Sequence, residues 1–427
     1  MAALARQRPI ETGPRPRGLG PGVDEKDLAQ TGWGVLFAQA DESATEVRHA
    51  LRKLLEHRRR AAAATGSRYR EYLGRDGYRP NETKRQWLAR HRMGPGVVDP
   101  DRVPYYILIV GSPELIPYEF QYQLDAGYAV GRIHFSSLEE YERYAESVVC
   151  AELSDARPRE AVFFAPGHED DRATKVCTET LVEPLAKALA PTCASWRLDR
   201  LLGREATKDR LLEVLGREQP PALLFTAGHG VGFRLGYKMQ LERQGELVCA
   251  DWPGRKTPVS HDYCLSAADL GDRAHVHGLV TVSVSCYGAG TPARDDFSRC
   301  PPKERARLAP FGFVARLPQR LLAHPNGGAL AYIGHVERVW EYSYFYEETG
   351  PQIQTLRSVF EELLSGFPVG AALKYIHRRL GELAIELKEL RDSGEDEDDV
   401  QLSQLWISAN DCRNYAVLGD PAVRLRV

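Results

Sequence analysis

Apolar residues in this chain gather into short unbroken runs separated by amphipathic stretches. Gly32-Trp33-Gly34-Val35-Leu36-Phe37-Ala38 predicts a first buried strand, and Val47, Leu51, Leu54 and Leu55 then share one helical face. The runs at 105–110 and 128–133 predict two more strands. Ser137 and Glu140 have the spacing of a capping box, opening a helix through Tyr141, Tyr144 and Val148. Beyond residue 155 the alternation becomes regular: strand 161–165, helix near 172–190, strand 195–198, helix near 206–216, strand 222–226. Strands at 278–285 and 329–333 follow after long irregular excursions. Strands without polar alternation, interleaved with helices, predict an α/β fold with a mainly parallel central sheet covered on both faces. The expected domains are a disordered leader over 1–31, a smaller N-terminal α/β subdomain over 32–155, and a larger α/β subdomain over 156–427.

Composition narrows the function classes. With 43% hydrophobic and 27% charged residues and a formal charge of −3, the 427-residue chain has core material enough and no general attraction to nucleic acid or membrane. The first 23 residues hold Pro9, Pro14, Pro16 and Pro21 but no apolar core of signal-peptide length, so a cytoplasmic protein is expected. Eight cysteines without CxxC spacing argue against a disulfide framework and against structural zinc, and no cofactor or metal is expected. The acidic run 395–399 lacks the alternating ligands and glycine of a calcium loop and reads as a solvated loop.

Two strand ends carry chemistry. Leu223 to Gly230 ends in Ala227-Gly228-His229-Gly230, and Val280 to Gly290 ends in Ser285-Cys286-Tyr287-Gly288-Ala289-Gly290. In an open parallel sheet the carboxyl ends of the strands line the ligand crevice, so neighbouring strands would bring His229 and Cys286 to one edge. A free thiol is only a few per cent ionised at neutral pH, and an adjacent imidazole removes its proton or stabilises the thiolate. The amides of Gly230 and Cys286 are candidates for an oxyanion hole. Each residue alone has a plainer reading, a small core thiol or a strand-capping imidazole. Their combination, with His229 lying 57 residues before Cys286 and both flanked by glycine, favours catalysis. His335, another strand-end histidine, is followed by Val336 and reads as structural; His275 and His277 read as loop residues. Glu169, Asp170 and Asp171 follow the 161–165 strand and are candidates to orient the imidazole, as is a backbone carbonyl.

At these residues the chain resembles the caspase-like cysteine peptidases (clan CD), and among them the gingipain and CHAT families more than the caspases proper. The resemblance rests on Gly228-His229-Gly230, Ser285-Cys286-Tyr287-Gly288, Ala331-Tyr332-Ile333-Gly334-His335, and the tail from Asn414 through Gly419-Asp420-Pro421 to Leu425. Leu108 to Pro117 and Val130-Gly131-Arg132-Ile133 look like the gingipain first subdomain. The resemblance implies a caspase-like three-layer sandwich and a cytosolic cysteine endopeptidase of a regulated or defence-type pathway. Cys286 would attack the peptide carbonyl and His229 protonate the leaving amine, through a thioester. A protein or peptide is then the substrate, with a regulatory protein as a further partner. The caspase Gln-Ala-Cys-Arg-Gly sequence is missing, which puts aspartate specificity in doubt.

Counting fixed charges near the proposed crevice predicts cleavage after arginine or lysine. Asp295 and Asp296 follow the nucleophile closely and are the preferred substrate-binding carboxylates, with Asp171 next; Arg294, Arg299 and Arg338 argue the other way. The arginine-bearing loop 292–310 is a candidate for self-cleavage or simply a solvated basic loop. The competing functions are a catalytically silent caspase-like scaffold or sensor, and another cysteine-dependent acyl transferase or amidase.

Overall fold

Ten runs of the chain pair into one sheet in the computed structural model, which describes residues 18–63, 67–346, 349–393 and 399–427. In chain order the strands are β1 (Trp33–Phe37), β2 (Tyr69–Tyr72), β3 (Tyr106–Val110), β4 (Ala129–Ile133), β5 (Glu160–Pro166), β6 (Arg197–Gly203), β7 (Leu223–Ala227), β8 (Val280–Val284), β9 (Ala331–His335) and β10 (Tyr415–Gly419). Their order across the sheet is β2-β1-β3-β4-β10-β9-β8-β7-β5-β6. Every neighbouring pair is parallel except β9 with β10. Because β10 is parallel to β4 and antiparallel to β9, the two halves of the sheet run in opposite directions. The boundary expected at 155 falls just after the helix Leu138–Leu153, and the two halves share one sheet through β10.

All residues of β1, β3, β4 and β7 to β10 are buried, so both faces of the central sheet are covered. That is why these strands read as continuous apolar runs. Helices Arg52–Ala62 and Leu138–Leu153 pack together on the first half, and Gln354–Leu364 packs against Glu183–Thr192 and Lys374–Ser393 on the second. The capping box of Ser137 and Glu140 forms as its spacing predicts.

The closing turn is pinned from far away in sequence. Trp33 Nε1 and Arg58 Nε donate to the fully buried Asp420 carboxylate at 2.9 and 2.6 Å, and Arg58 also grips Glu152 at 2.6 Å. These two carboxylates hold the buried Arg58 charged; breaking such a pair costs about 3–5 kcal/mol. β4 and β10 approach so closely that a Cβ on Gly131 would lie 2.1 Å from the Gly419 oxygen, which leaves room for glycine alone.

Three expectations change. The strand expected at 195–198 is β6, Arg197–Gly203, and β2 is a strand that the apolar pattern did not announce. Both are sheet edges, where one side is solvated and charges such as Arg70, Glu71, Arg197 and Asp199 blunt further pairing. The leader does not extend to residue 31, because Gly18–Leu19 pairs with Val97–Val98 and Leu28–Thr31 forms a helical turn capped by Asp27. Residues 1–17 and the acidic positions 395–398 lie outside the described residues, and nothing is described of the Asp399 side chain. Among the described residues no helix is long and apolar enough to cross a membrane.

Candidate functional site

β7 and β8 are adjacent and parallel, with Ala227 opposite Val284. His229 and Cys286 each stand two residues beyond that last pair, so the register alone carries both to the same sheet edge. The two strand ends then touch. A Cβ on Gly230 would lie 1.9 Å from the Cys286 carbonyl oxygen and 3.1 Å from its nitrogen, so only glycine lets the loop after His229 pack on the peptide after Cys286. Tyr287, immediately after the thiol, has φ of +58°, a left-handed conformation that is costly for a bulky residue, and its N–H donates to the Glu337 carbonyl at 2.8 Å. Neither the Gly230 nor the Cys286 amide has a protein acceptor among the described residues.

The imidazole of His229 is about one-third exposed and bonded to a buried carboxylate. Its Nε2 lies 2.7 Å from Asp171 Oδ2, and Asp171 is 5% exposed. Asp171 caps the turn Arg172–Val176 beyond β5, accepting the Thr174 N–H at 3.1 Å. Burial raises the pKa of this carboxyl, but the charge interaction with the His229 ring and the hydrogen bonds from His229 and Thr174 outweigh it and hold Asp171 below the ordinary carboxylate range. An ionised acceptor at Nε2 fixes that nitrogen as the donor, which leaves Nδ1 with the free lone pair. The indole of Trp252 meets the His229 ring edge to face at 6.0 Å, and the His168 ring at 4.9 Å.

Cys286 is half-buried, and its partner is not the imidazole. The Val339 N–H donates to Sγ at 3.4 Å, and the Val339 carbonyl lies 3.9 Å away. Among the described residues the thiol makes no hydrogen bond to His229. Burial pushes the thiol up from its ordinary value, and the Val339 amide offsets only part of that. A thiol held above its ordinary value rests mainly protonated at neutral pH.

The carboxylates expected to form an open pocket are all engaged. Asp171 belongs to His229. Asp295 Oδ1 accepts from Arg338 Nη2 at 2.6 Å and from the Phe297 N–H at 2.9 Å. Asp296 is 1% exposed, with Arg305 and Arg413 at 3.5 and 3.4 Å, and burial pushes it up to about 6. The count of acid along this edge thus overlooks the arginines folded onto it. Burial likewise pushes Glu337 up to about 7, although Arg338 lies 2.9 Å from it. His335 is fully buried at the end of β9, bonded to the Glu337 and Asp411 carbonyls at 3.0 Å each, and is structural as expected. His275 and His277 precede β8 and so lie toward the opposite sheet edge. The sequence offered no sign of Val339, Trp252 or Tyr287 as site residues, because each acts through a loop contact.

No family model matches the chain, and no curated protein matches it. Solved structures do. Gingipain R, an Arg-specific cysteine proteinase, covers 94% of this chain and 79% of its own at 12% identity and a TM-score of 0.55. The complex of its pro- and mature domains from Porphyromonas gingivalis covers 92% and 80% at 10% identity and a TM-score of 0.53. A structure described only as a protease covers 93% and 79% at 12% identity and a TM-score of 0.53. At such identities the likeness is one of fold, and the chain has the caspase-like α/β fold seen in the cysteine proteinase gingipain R.

Proposed function

We propose that this protein is a cysteine endopeptidase with Cys286 as nucleophile and His229 as general base and acid. The observation that carries the reading is the junction of two neighbouring strand ends, where Gly230 packs on the Cys286 peptide and Asp171 orients the His229 ring. With Nε2 held by Asp171, Nδ1 is the nitrogen that takes the thiol proton once a substrate lies between them. Sγ then bonds to the peptide carbonyl carbon, and the amides of Gly230 and Cys286 receive the oxyanion. Collapse breaks the C–N bond, the proton passes from His229 to the leaving amine, and a thioester remains. Water, deprotonated by His229, releases the acid and the free thiol. Asp171 in this reading is a positioning residue for His229.

Cleavage after arginine or lysine is the finer part of the proposal. It is supported by a site next to the thiol that already holds a guanidinium, that of Arg338 between Asp295, Glu337, Phe297 and Trp340. Gingipain R is Arg-specific by its description. Fluorogenic peptides ending in Arg, Lys, Asp and Leu test both parts. Cleavage after basic residues is expected, lost in Cys286→Ala and reduced by about 10²–10⁴ in His229→Ala, with the double variant no slower than the slower single one. Full activity of Cys286→Ala, or no covalent capture of Cys286 by a peptidyl acyloxymethyl ketone, would overturn the mechanism. Preferential cleavage after Asp would overturn the specificity.

A further inference from the structure

Arg338 occupies a cradle that has the features of a recognition site for a basic side chain. Its Nε donates to Glu337 Oε1 at 2.9 Å, and its Nη2 reaches Asp295 Oδ1 at 2.6 Å. The ring of Phe297 lies 5.4 Å from the guanidinium carbon, and that of Trp340 lies 5.9 Å away. Paired carboxylates with aromatic walls are what a planar, delocalised cation selects over a compact ammonium. Each wall has a hydrogen bond that does not involve Arg338 or its carboxylates: the Phe297 carbonyl accepts from Trp406 Nε1 at 2.8 Å, and the Trp340 N–H donates to Asp411 at 3.0 Å. The next residue along, Val339, is the one whose N–H contacts the thiol, so the cradle adjoins the proposed point of cleavage. Arg338 itself is one-third exposed and so has a way out to solvent.

We infer that this cradle is the subsite for the basic side chain of a substrate, and that Arg338 is an internal competitor which the substrate must displace. The inference rests on the peptidase reading and assigns Arg338 the role of setting specificity and affinity. A tethered group one residue from the site acts at an effective concentration in the millimolar range or above. It therefore weakens an incoming arginine by a large factor without contacting it, and makes full occupancy depend on other contacts of a longer substrate. Glu337 tolerates the vacated state, because a carboxyl that titrates near neutrality can take a proton when its partner leaves.

The test is calorimetric binding of N-acetyl-arginine amide at pH 7 to the full chain, without turnover. Arg338→Met keeps the apolar stem and is expected to bind the probe at least tenfold more tightly than wild type. Adding Asp295→Asn to Arg338→Met should abolish the gain, and N-acetyl-leucine amide should show none. Arg338→Lys, which retains the charge and loses the fork, should fall between wild type and Arg338→Met, and it serves as the reference if Arg338→Met fails to fold by near-ultraviolet circular dichroism. Equal affinity of wild type and both Arg338 variants, or an equal gain for the leucine probe, would overturn the inference. Peptide cleavage separates this from the proposed function: an active peptidase with unchanged probe binding loses only the cradle, whereas tighter probe binding without any Cys286-dependent cleavage loses the mechanism.

Discussion

Two histidines stand at the ends of β7 and β9, the strands on either side of β8 and Cys286, and they differ in almost every respect. His229 is followed by glycine, lies one-third open to solvent, and among the described residues is hydrogen-bonded at one nitrogen alone, to Asp171. His335 is followed by Val336, is wholly buried, and spends both nitrogens on carbonyls, with Asp411 Oδ1 a further 3.4 Å away. The same residue type on the same edge of one sheet is thus a candidate proton carrier in one place and a structural bolt in the other. The following residue and the remaining lone pair decide which.

The comparison breaks most visibly on substitution by alanine. His229→Ala should leave the urea midpoint within error and cut turnover by about 10²–10⁴, whereas His335→Ala should destabilise the fold by about 3–5 kcal/mol by stranding Asp411. Comparable instability in both variants would erase the distinction. Next in size, Asp171→Asn removes the charge-assisted bond that orients His229; a loss of about 1.5–3 kcal/mol, tenfold to about a hundredfold in kcat/KM, is expected with little change in KM. Gly230→Ala places a methyl against the Cys286 carbonyl, and the repacking cost of about 1–3 kcal/mol should appear as lost alkylation of Cys286 as well as lost stability.

The smallest effects are those of pH. The thiol is raised by burial, so alkylation of Cys286 by iodoacetamide in the free protein should keep climbing on the alkaline side of an ordinary cysteine, and a plateau near neutrality would mean that an ion pair with His229 forms after all. For His335, burial opposes the charge, but Asp411 and the two carbonyls outweigh it and the pKa is raised. The stabilisation is then complete below the unfolded value of about 6.5 and is lost as pH rises through the higher folded value. The gap in urea midpoint between wild type and His335→Gln should accordingly narrow from pH 6 to pH 8.

Much of this was legible in the sequence, for a physical reason. Strands buried on both faces must be apolar throughout, so β1, β3, β4 and β7 to β9 announce themselves, and with them the two strand ends that bear His229 and Cys286. The edge strands β2 and β6 are solvated and charged and carry no such mark. The carboxylates were legible in number but not in their pairing, since Asp295 and Asp296 do not reveal along the chain which arginines fold onto them, Arg338, Arg305 and Arg413, up to 117 positions away. Val339 reaches the thiol through its backbone, a contact that no side-chain identity encodes.

The position of β10 has a consequence for how the protein is made. Residues 415–419 fill the middle of the sheet, yet a ribosome reaches them only after the other nine strands of this sheet have been made. At about 5–20 residues per second, β4 and β9 wait with unpaired edges while the intervening chain is translated. The helix just before β10 supplies Asp411, which receives the Trp340 N–H and so braces the loop that carries Val339 against the thiol. A nascent chain stalled before residue 411 would carry His229 and Cys286 but lack this brace, so that maturation of the site waits for the synthesis of residues 411–419.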